Sequence, residues 1–174
     1  VGCGMGNFSV AVYLKLMKGL SSEFPVVEER KKHILENMIY MAEKNIKNVF
    51  ICHKIFNHDE KYAINLFSGD ALKLDVVKEW NIKNFDVILG NPPFNSGGIR
   101  SHKGEHLGDK NETVWTKFVD KSLGLLKPNG YLTLIHPLSW LKKSHSLHTK
   151  MLEKHIVWLK LWDDSYSKGN IKAD

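Results

Sequence analysis

Cysteine is scarce: Cys3 and Cys52 are the two in 174 residues. That is too few, and too scattered, for a disulfide framework or a cysteine-based zinc site, and a reducing cytoplasm is the expected compartment. No apolar run approaches the ~20 residues that a membrane helix needs, and no secretory signal opens the sequence. Repeats and low-complexity tracts are absent as well, which excludes solenoids and arrays. His102 and His106 are four apart, but Gly104 lies between them and no helical pattern surrounds them, so a metal pair is not expected.

What is present is the composition of an ordinary globular domain. The hydrophobic share of 43% and charged share of 25% suit one core, and 174 residues suffice for a single domain over 1–174. A formal net charge of +6 and pI near 9.2 permit a polyanionic partner without requiring one. The sequence opens at Val1-Gly2, already inside a glycine-rich turn of the kind that follows a strand. It therefore reads as a fragment whose feeding strand is missing.

The chain is organised around Phe85-Asp86-Val87-Ile88-Leu89-Gly90-Asn91-Pro92-Pro93-Phe94-Asn95. Val87 to Leu89 is a short apolar run, read as a buried strand, and it stops at glycine, asparagine and two prolines. Pro92 and Pro93 lack N–H donors and fix φ near −65°, while Asn91 is pushed towards an extended conformation. The result is a stiff loop at the carboxyl end of a strand, where ligands bind in open α/β sheets. Its carboxamide and free carbonyls can accept hydrogen bonds from an amine whose lone pair is otherwise delocalised, and the ring of Phe94 can stack on a planar base. A plain turn is the alternative reading.

Two further stretches carry ligand chemistry. Gly2-Cys3-Gly4-Met5-Gly6-Asn7-Phe8 leads into Ser9 to Leu20, where Val12, Leu16 and Leu20 have helical spacing, so the backbone can approach a ligand and aim a helix N-terminus at it. Met38 to Glu43 reads as a strand ending in an acid, a position where a carboxylate can accept from ribose hydroxyls.

Asn91-Pro92-Pro93-Phe94 resembles the catalytic tetrad of amino-methyltransferases that use S-adenosyl-L-methionine, above all the adenine-specific DNA methyltransferases of restriction–modification systems. The resemblance covers nearly the whole chain. It implies that the glycine turn (Gly2, Cys3, Gly4, Gly6, Phe8) holds the methionine part of the cofactor and that Glu43 holds its ribose. It further implies that Asp70, with Ala71 after it, accepts from the adenine amine, and that Asn91 lies at both the cofactor and the target. The implied substrate is double-stranded DNA with a flipped adenine, with no metal. A restriction endonuclease or specificity domain would lie outside these residues. RNA-guanine and protein-glutamine methyltransferases share the motif, and a catalytically inactive cofactor- or DNA-binding fragment is a third reading.

The remaining elements follow in order. Glu28–Asn37 is a polar helix, Asn45–Phe56 a helix with Val49, Cys52 and Phe56 inward, and Tyr62–Phe67 a half-buried strand. Lys73–Trp80 is a short helix, with Asp75 on the surface. Asn95–Thr113, with Arg100, His102, Lys103, His106 and Lys110, reads as a basic flap over the target. Val114–Leu126 is a helix, Lys127-Pro128-Asn129-Gly130 a turn, and Tyr131–His136 a strand. Leu138–Leu141 is a loop with Trp140 as a packing residue, Lys142, Lys143, His145, His148 and Lys150 cluster at a helix start, and His155–Trp162 is a last strand. The alternation predicts an α/β fold with a mostly parallel, doubly wound sheet. The resemblance makes that sheet Rossmann-like and incomplete, because its first strand, which lies centrally, is missing. Two neighbours are then left with unpaired edges and the fragment is expected to be poorly stable.

Overall fold

The computed structural model describes residues 2–95 and 113–161. Two compact units divide the chain, 1–137 and 138–174. In the first, helices α1 (Asn7–Gly19) and α2 (Val27–Asn37) precede β1 (Tyr40–Glu43), α3 (Ile46–Asn57), β2 (Asn65–Ser68), α4 (Val76–Trp80), β3 (Phe85–Gly90), α5 (Trp115–Gly124) and β4 (Leu126–Leu134). β1 pairs with β2 and β3 with β4, both parallel, as two two-stranded sheets. The expected parallel α/β character is therefore present, with the strands in two sheets among the described residues.

Local chemistry explains where the elements start. The α3 N-terminus is capped by Asn45, whose side chain accepts from Lys47 N–H at 2.9 Å. Asp75 remains exposed, and it also caps α4 by accepting from Val77 and Lys78 N–H. Asn81 closes that helix in the left-handed region at φ 55°. β1 begins at Tyr40 instead of Met38 because the N–H groups of Met38 and Ile39 are taken by Ile34 C=O at the end of α2. β2 likewise begins at Asn65 instead of Tyr62. Asn57 exchanges two side-chain hydrogen bonds with the Tyr62 backbone, and Glu36 accepts from Ala63 N–H. Residues 62–63 are thus satisfied by side chains and have no need of a strand partner.

The four residues expected as a turn, Lys127 to Gly130, lie inside β4. Phe85 pairs with Leu126 and Val87 with Tyr131, so β3 advances two residues while β4 advances five. The extra residues bulge out, with Asn129 at φ 63°. Lys127 reaches back to both oxygens of Asp86 at 2.9 Å and holds that exposed carboxyl below the usual carboxylate range.

Ile34, Leu35, Ile39, Met41 and Phe56 form one core cluster, against which α1 packs Val10, Val12, Tyr13, Leu16 and Met17. Ala42, Leu74 and Val76 form another with Phe67, Trp80, Phe85 and Leu125. Full burial of a Val, Leu, Ile, Phe or Met side chain, as for Ile34, Leu35 and Met41, contributes about 1.5–3 kcal/mol.

The second unit holds a 3-10 turn (Leu138–Leu141), with Trp140 buried as expected, and α6 (His148–Leu152). The expected strand over His155–Trp162 is not found: residues 155–161 have no regular structure, and Ile156, Val157, Trp158, Leu159 and Leu161 are exposed. An apolar strand needs a ladder partner to satisfy its backbone, and no described segment supplies one. Residue 162 lies outside the described residues.

Candidate functional site at the carboxyl ends of the strands

The parallel registers put the chemistry-bearing loops at one end of the strands. Glu43 is level with Ser68, and Gly69 N–H donates to Glu43 C=O at 2.8 Å, so the Asp70 turn starts beside the tip of β1. Gly90 is level with Leu134, and Ile135 N–H donates to Gly90 C=O at 3.1 Å, which puts Asn91 and His136 past the ends of their strands. This is the ligand-binding end of an open parallel sheet.

The glycine turn is held by two parts of the β1 tip. Cys3 N–H donates to Ala42 C=O at 3.0 Å, and Gly4 N–H donates to Glu43 Oε2 at 2.8 Å. Glu43 Oε1 accepts from Asn45 N–H at 2.8 Å, so this buried carboxylate ties the turn to the start of α3. Gly2, Gly4 and Gly6 have φ of 62°, 57° and 90°, conformations that side chains rarely adopt. A Cβ on Gly2 or Gly4 would meet nothing within 4 Å, whereas one on Gly6 would lie 3.3 Å from Cys52 Sγ. Two of the three glycines therefore leave open space above the backbone, and the third allows close packing beneath it.

Cys3 and Cys52 meet at 3.7 Å, and Cys52 Sγ–H donates to Gly4 C=O at 3.4 Å. Burial, then the neighbouring Cys52 and Glu43, push the Cys3 thiol up to about 12. Both thiols stay protonated at neutral pH and act as packing groups. The spacing of the two cysteines in sequence gave no sign that they would meet.

Asn91 is exposed and Pro92 fully buried, so the loop is anchored by the ring of Pro92 while Asn91 stays accessible. Phe94 is 42% exposed, accessible enough to stack. Its carbonyl is not free, because it accepts from Val114 N–H at 3.1 Å and Trp115 N–H at 3.5 Å at the start of α5. Trp115 is buried and stacks on His136 with ring planes 1° apart and centroids at 5.2 Å. Trp115 is thus joined to the loop through its N–H and to His136 through its ring, and no sequence pattern had paired the two residues.

A cavity of about 200 Å³ is lined by Gly2, Cys3, Gly4, Met5, Asn7, Phe8 and Asn91. It brings the glycine turn and the tetrad asparagine to one place across some 85 residues of sequence. A larger groove of about 640 Å³ shares Cys3 and Phe8 with it, is lined also by Ala71 and Leu74, and lies between β1 and β3. Gly6, Glu43, Asp70, Pro92, Pro93 and Phe94 do not line either cavity. Asp70 Oδ1 accepts from Leu72 N–H at 3.0 Å and shapes its own turn. Of the expected flap over Asn95–Thr113, residues 96–112, with Arg100, His102, Lys103, His106 and Lys110, lie outside the described residues, and Asn95 and Thr113 form an antiparallel bridge.

Among the described residues no cluster of His, Cys, Asp or Glu could hold a metal ion, and no helix is long and apolar enough to cross a membrane. The family model described as Eco57I restriction-modification methylase matches residues 9–163. No curated protein matches the chain.

Proposed function

The chain belongs to the Eco57I restriction-modification methylase family, and from that premise we propose that it transfers the methyl group of S-adenosyl-L-methionine to the exocyclic amine of adenine in DNA. The observation that carries this reading is the shared cavity of Gly2, Gly4, Phe8 and Asn91. Open space above Gly2 and Gly4 suits a ligand lying close against the backbone. Glu43, at the tip of β1, retains lone pairs on both oxygens for ribose hydroxyls, and Asp70 and Ala71 suit the adenine end of the cofactor. In this reading the two parallel sheets belong to one doubly wound, Rossmann-like sheet, working in the cytoplasm.

When bound, the cofactor supplies a methyl group made electrophilic by the sulfonium. The protein's part is positioning and electrostatics. The Asn91 side-chain oxygen and the Pro92 carbonyl accept the two N–H groups of the target amine, which leaves its lone pair free for attack. Phe94 stacks on the extruded base, whose unstacking costs a few kcal/mol. Positive charge that develops on the nitrogen is stabilised by these two dipoles, and the proton then leaves to water. No enzyme nucleophile takes part.

The test is tritiated-methyl transfer by the full-length protein onto DNA, RNA and protein, followed by nucleoside analysis. Label in N6-methyladenine of DNA is the expected result. Label in RNA guanine or in protein glutamine would replace the substrate assignment, and no transfer to any of the three would overturn the proposal.

A further inference from the structure

Helix α5 touches the candidate site at both of its ends. At its start, the N–H groups of Val114 and Trp115 hold the carbonyl of Phe94. Two turns later, Lys121 leaves the helix towards the other sheet and its Nζ donates to Leu72 C=O at 2.9 Å and Leu74 C=O at 2.6 Å. Those carbonyls close the turn that begins at Asp70, where Leu72 N–H donates to Asp70 Oδ1 and Lys73 N–H to Asp70 C=O at 2.8 Å.

Lys121 is half-buried in the wall of the larger groove and has no carboxylate in ion-pair contact among the described residues. Desolvation lowers its pKa, and the charges of Asp70 and Asp75 act the other way. A half-buried ammonium that spends its donors on two loop carbonyls is an expensive way to fill space, since an apolar side chain would pack there without desolvation. Carbonyls held by a charged donor are fixed more firmly than by a neutral one. From Trp115 to Lys121 the helix rises ~9 Å, a fixed distance between the tetrad loop and the Asp70 turn.

We infer that Lys121 is a positioning residue for cofactor binding, which holds the Asp70–Leu74 turn at a set distance from the tetrad loop and so places the adenine end of the cofactor. The inference rests on the cofactor reading given under Proposed function. Lys121 itself touches neither the donor methyl group nor the target amine.

The experiment compares wild type, Lys121→Met and Lys121→Arg in the full-length protein. S-adenosyl-L-homocysteine and free adenosine are titrated calorimetrically, and methyl transfer is followed at saturating cofactor. Lys121→Met leaves two carbonyls without a donor, and its expected result is a rise in Kd of about ten-fold for both ligands, with kcat held within two-fold. Lys121→Arg keeps charge and donors and restores most of the affinity. A purely structural lysine would lower the folded fraction while leaving the Kd of the folded molecules unchanged. Should the methionine variant not fold, Lys121→Gln, which falls short of both carbonyls, carries the same expectation. Unchanged Kd in the folded variants, with wild type binding normally, overturns the role of Lys121 alone. Failure of wild type to bind either ligand overturns the cofactor reading and this inference with it.

Discussion

Gly4 N–H and Asn45 N–H each donate to one oxygen of Glu43, both at 2.8 Å. One carboxylate thus fastens a turn near the start of the chain to a helix start some forty residues on, and it does so at the carboxyl end of β1. A residue that sequence reasoning assigns to ligand binding thus also holds the glycine turn in place.

Glu43→Gln should separate these duties from mere size. The amide keeps one acceptor but turns its NH₂ towards one of the two N–H donors, and a buried donor left unpaired costs about 1–3 kcal/mol. Denaturant unfolding should show a loss in that range, and cofactor titration a weaker Kd. Unchanged stability and affinity would mean that the two hydrogen bonds contribute nothing.

Asn91→Ala removes the exposed carboxamide without touching the buried Pro92. In the full-length protein, methyl transfer should fall by about 10²-fold or more, as for loss of a preorganised transition-state dipole, while cofactor affinity changes little. Equal turnover in wild type and variant would sink the catalytic assignment.

Gly6→Ala adds a Cβ at φ 90° and 3.3 Å from Cys52 Sγ. The left-handed conformation alone costs roughly 1–2 kcal/mol. Gly124→Ala is the control, because its Cβ would meet nothing within 4 Å at the end of α5. Thermal melting should show a lower Tm for the first variant and an equal or higher one for the second.

The Cys3 thiol, pushed up to about 12, should resist iodoacetamide at pH 8 in the folded chain and react once urea exposes it. The sign for stability follows from the same shift. A thiol whose folded pKa exceeds its unfolded value binds its proton more tightly when folded. Its contribution is therefore intact below about pH 9, the unfolded value, and is lost as pH rises towards 12. Mass spectrometry of alkylated peptides at pH 8 and urea midpoints between pH 8 and 11 read both effects, and full labelling of Cys3 without denaturant would contradict them.

The groove between β1 and β3 leaves an apolar channel between two parallel sheets. Neighbouring carbonyls in a strand point to opposite sides. Glu43 C=O faces β2, so Ala42 C=O, which takes Cys3 N–H, marks the outer edge of β1. An edge of this kind, together with exposed Val87 in β3, favours pairing with other chains. The 174-residue chain should self-associate with rising concentration and bind a hydrophobic dye, as size exclusion and fluorescence would show. A monodisperse, dye-silent, cooperatively unfolding product would refute this.

Local sequence determined much of this protein. The helical spacing of Val12 and Leu16, the apolar run Val87–Leu89 and the stop at Pro92 placed α1, β3 and the tetrad loop, because period, propensity and proline geometry act over a few residues. What lay between elements was invisible to it. Tyr62 and Ala63 left the strand pattern because Asn57 and Glu36 took their polar groups, and Lys127–Gly130 bulged inside β4 because the register of β3 required it. His155–Leu161 has the alternation of a strand but lacks the ladder that makes one. The site divides the same way. Its residue types were legible one by one, whereas the meeting of Gly4 with Glu43, of Cys3 with Cys52 and of Lys121 with the Asp70 turn was decided by the tertiary structure, since hydrogen bonds and packing between distant segments form only once the strands are set side by side.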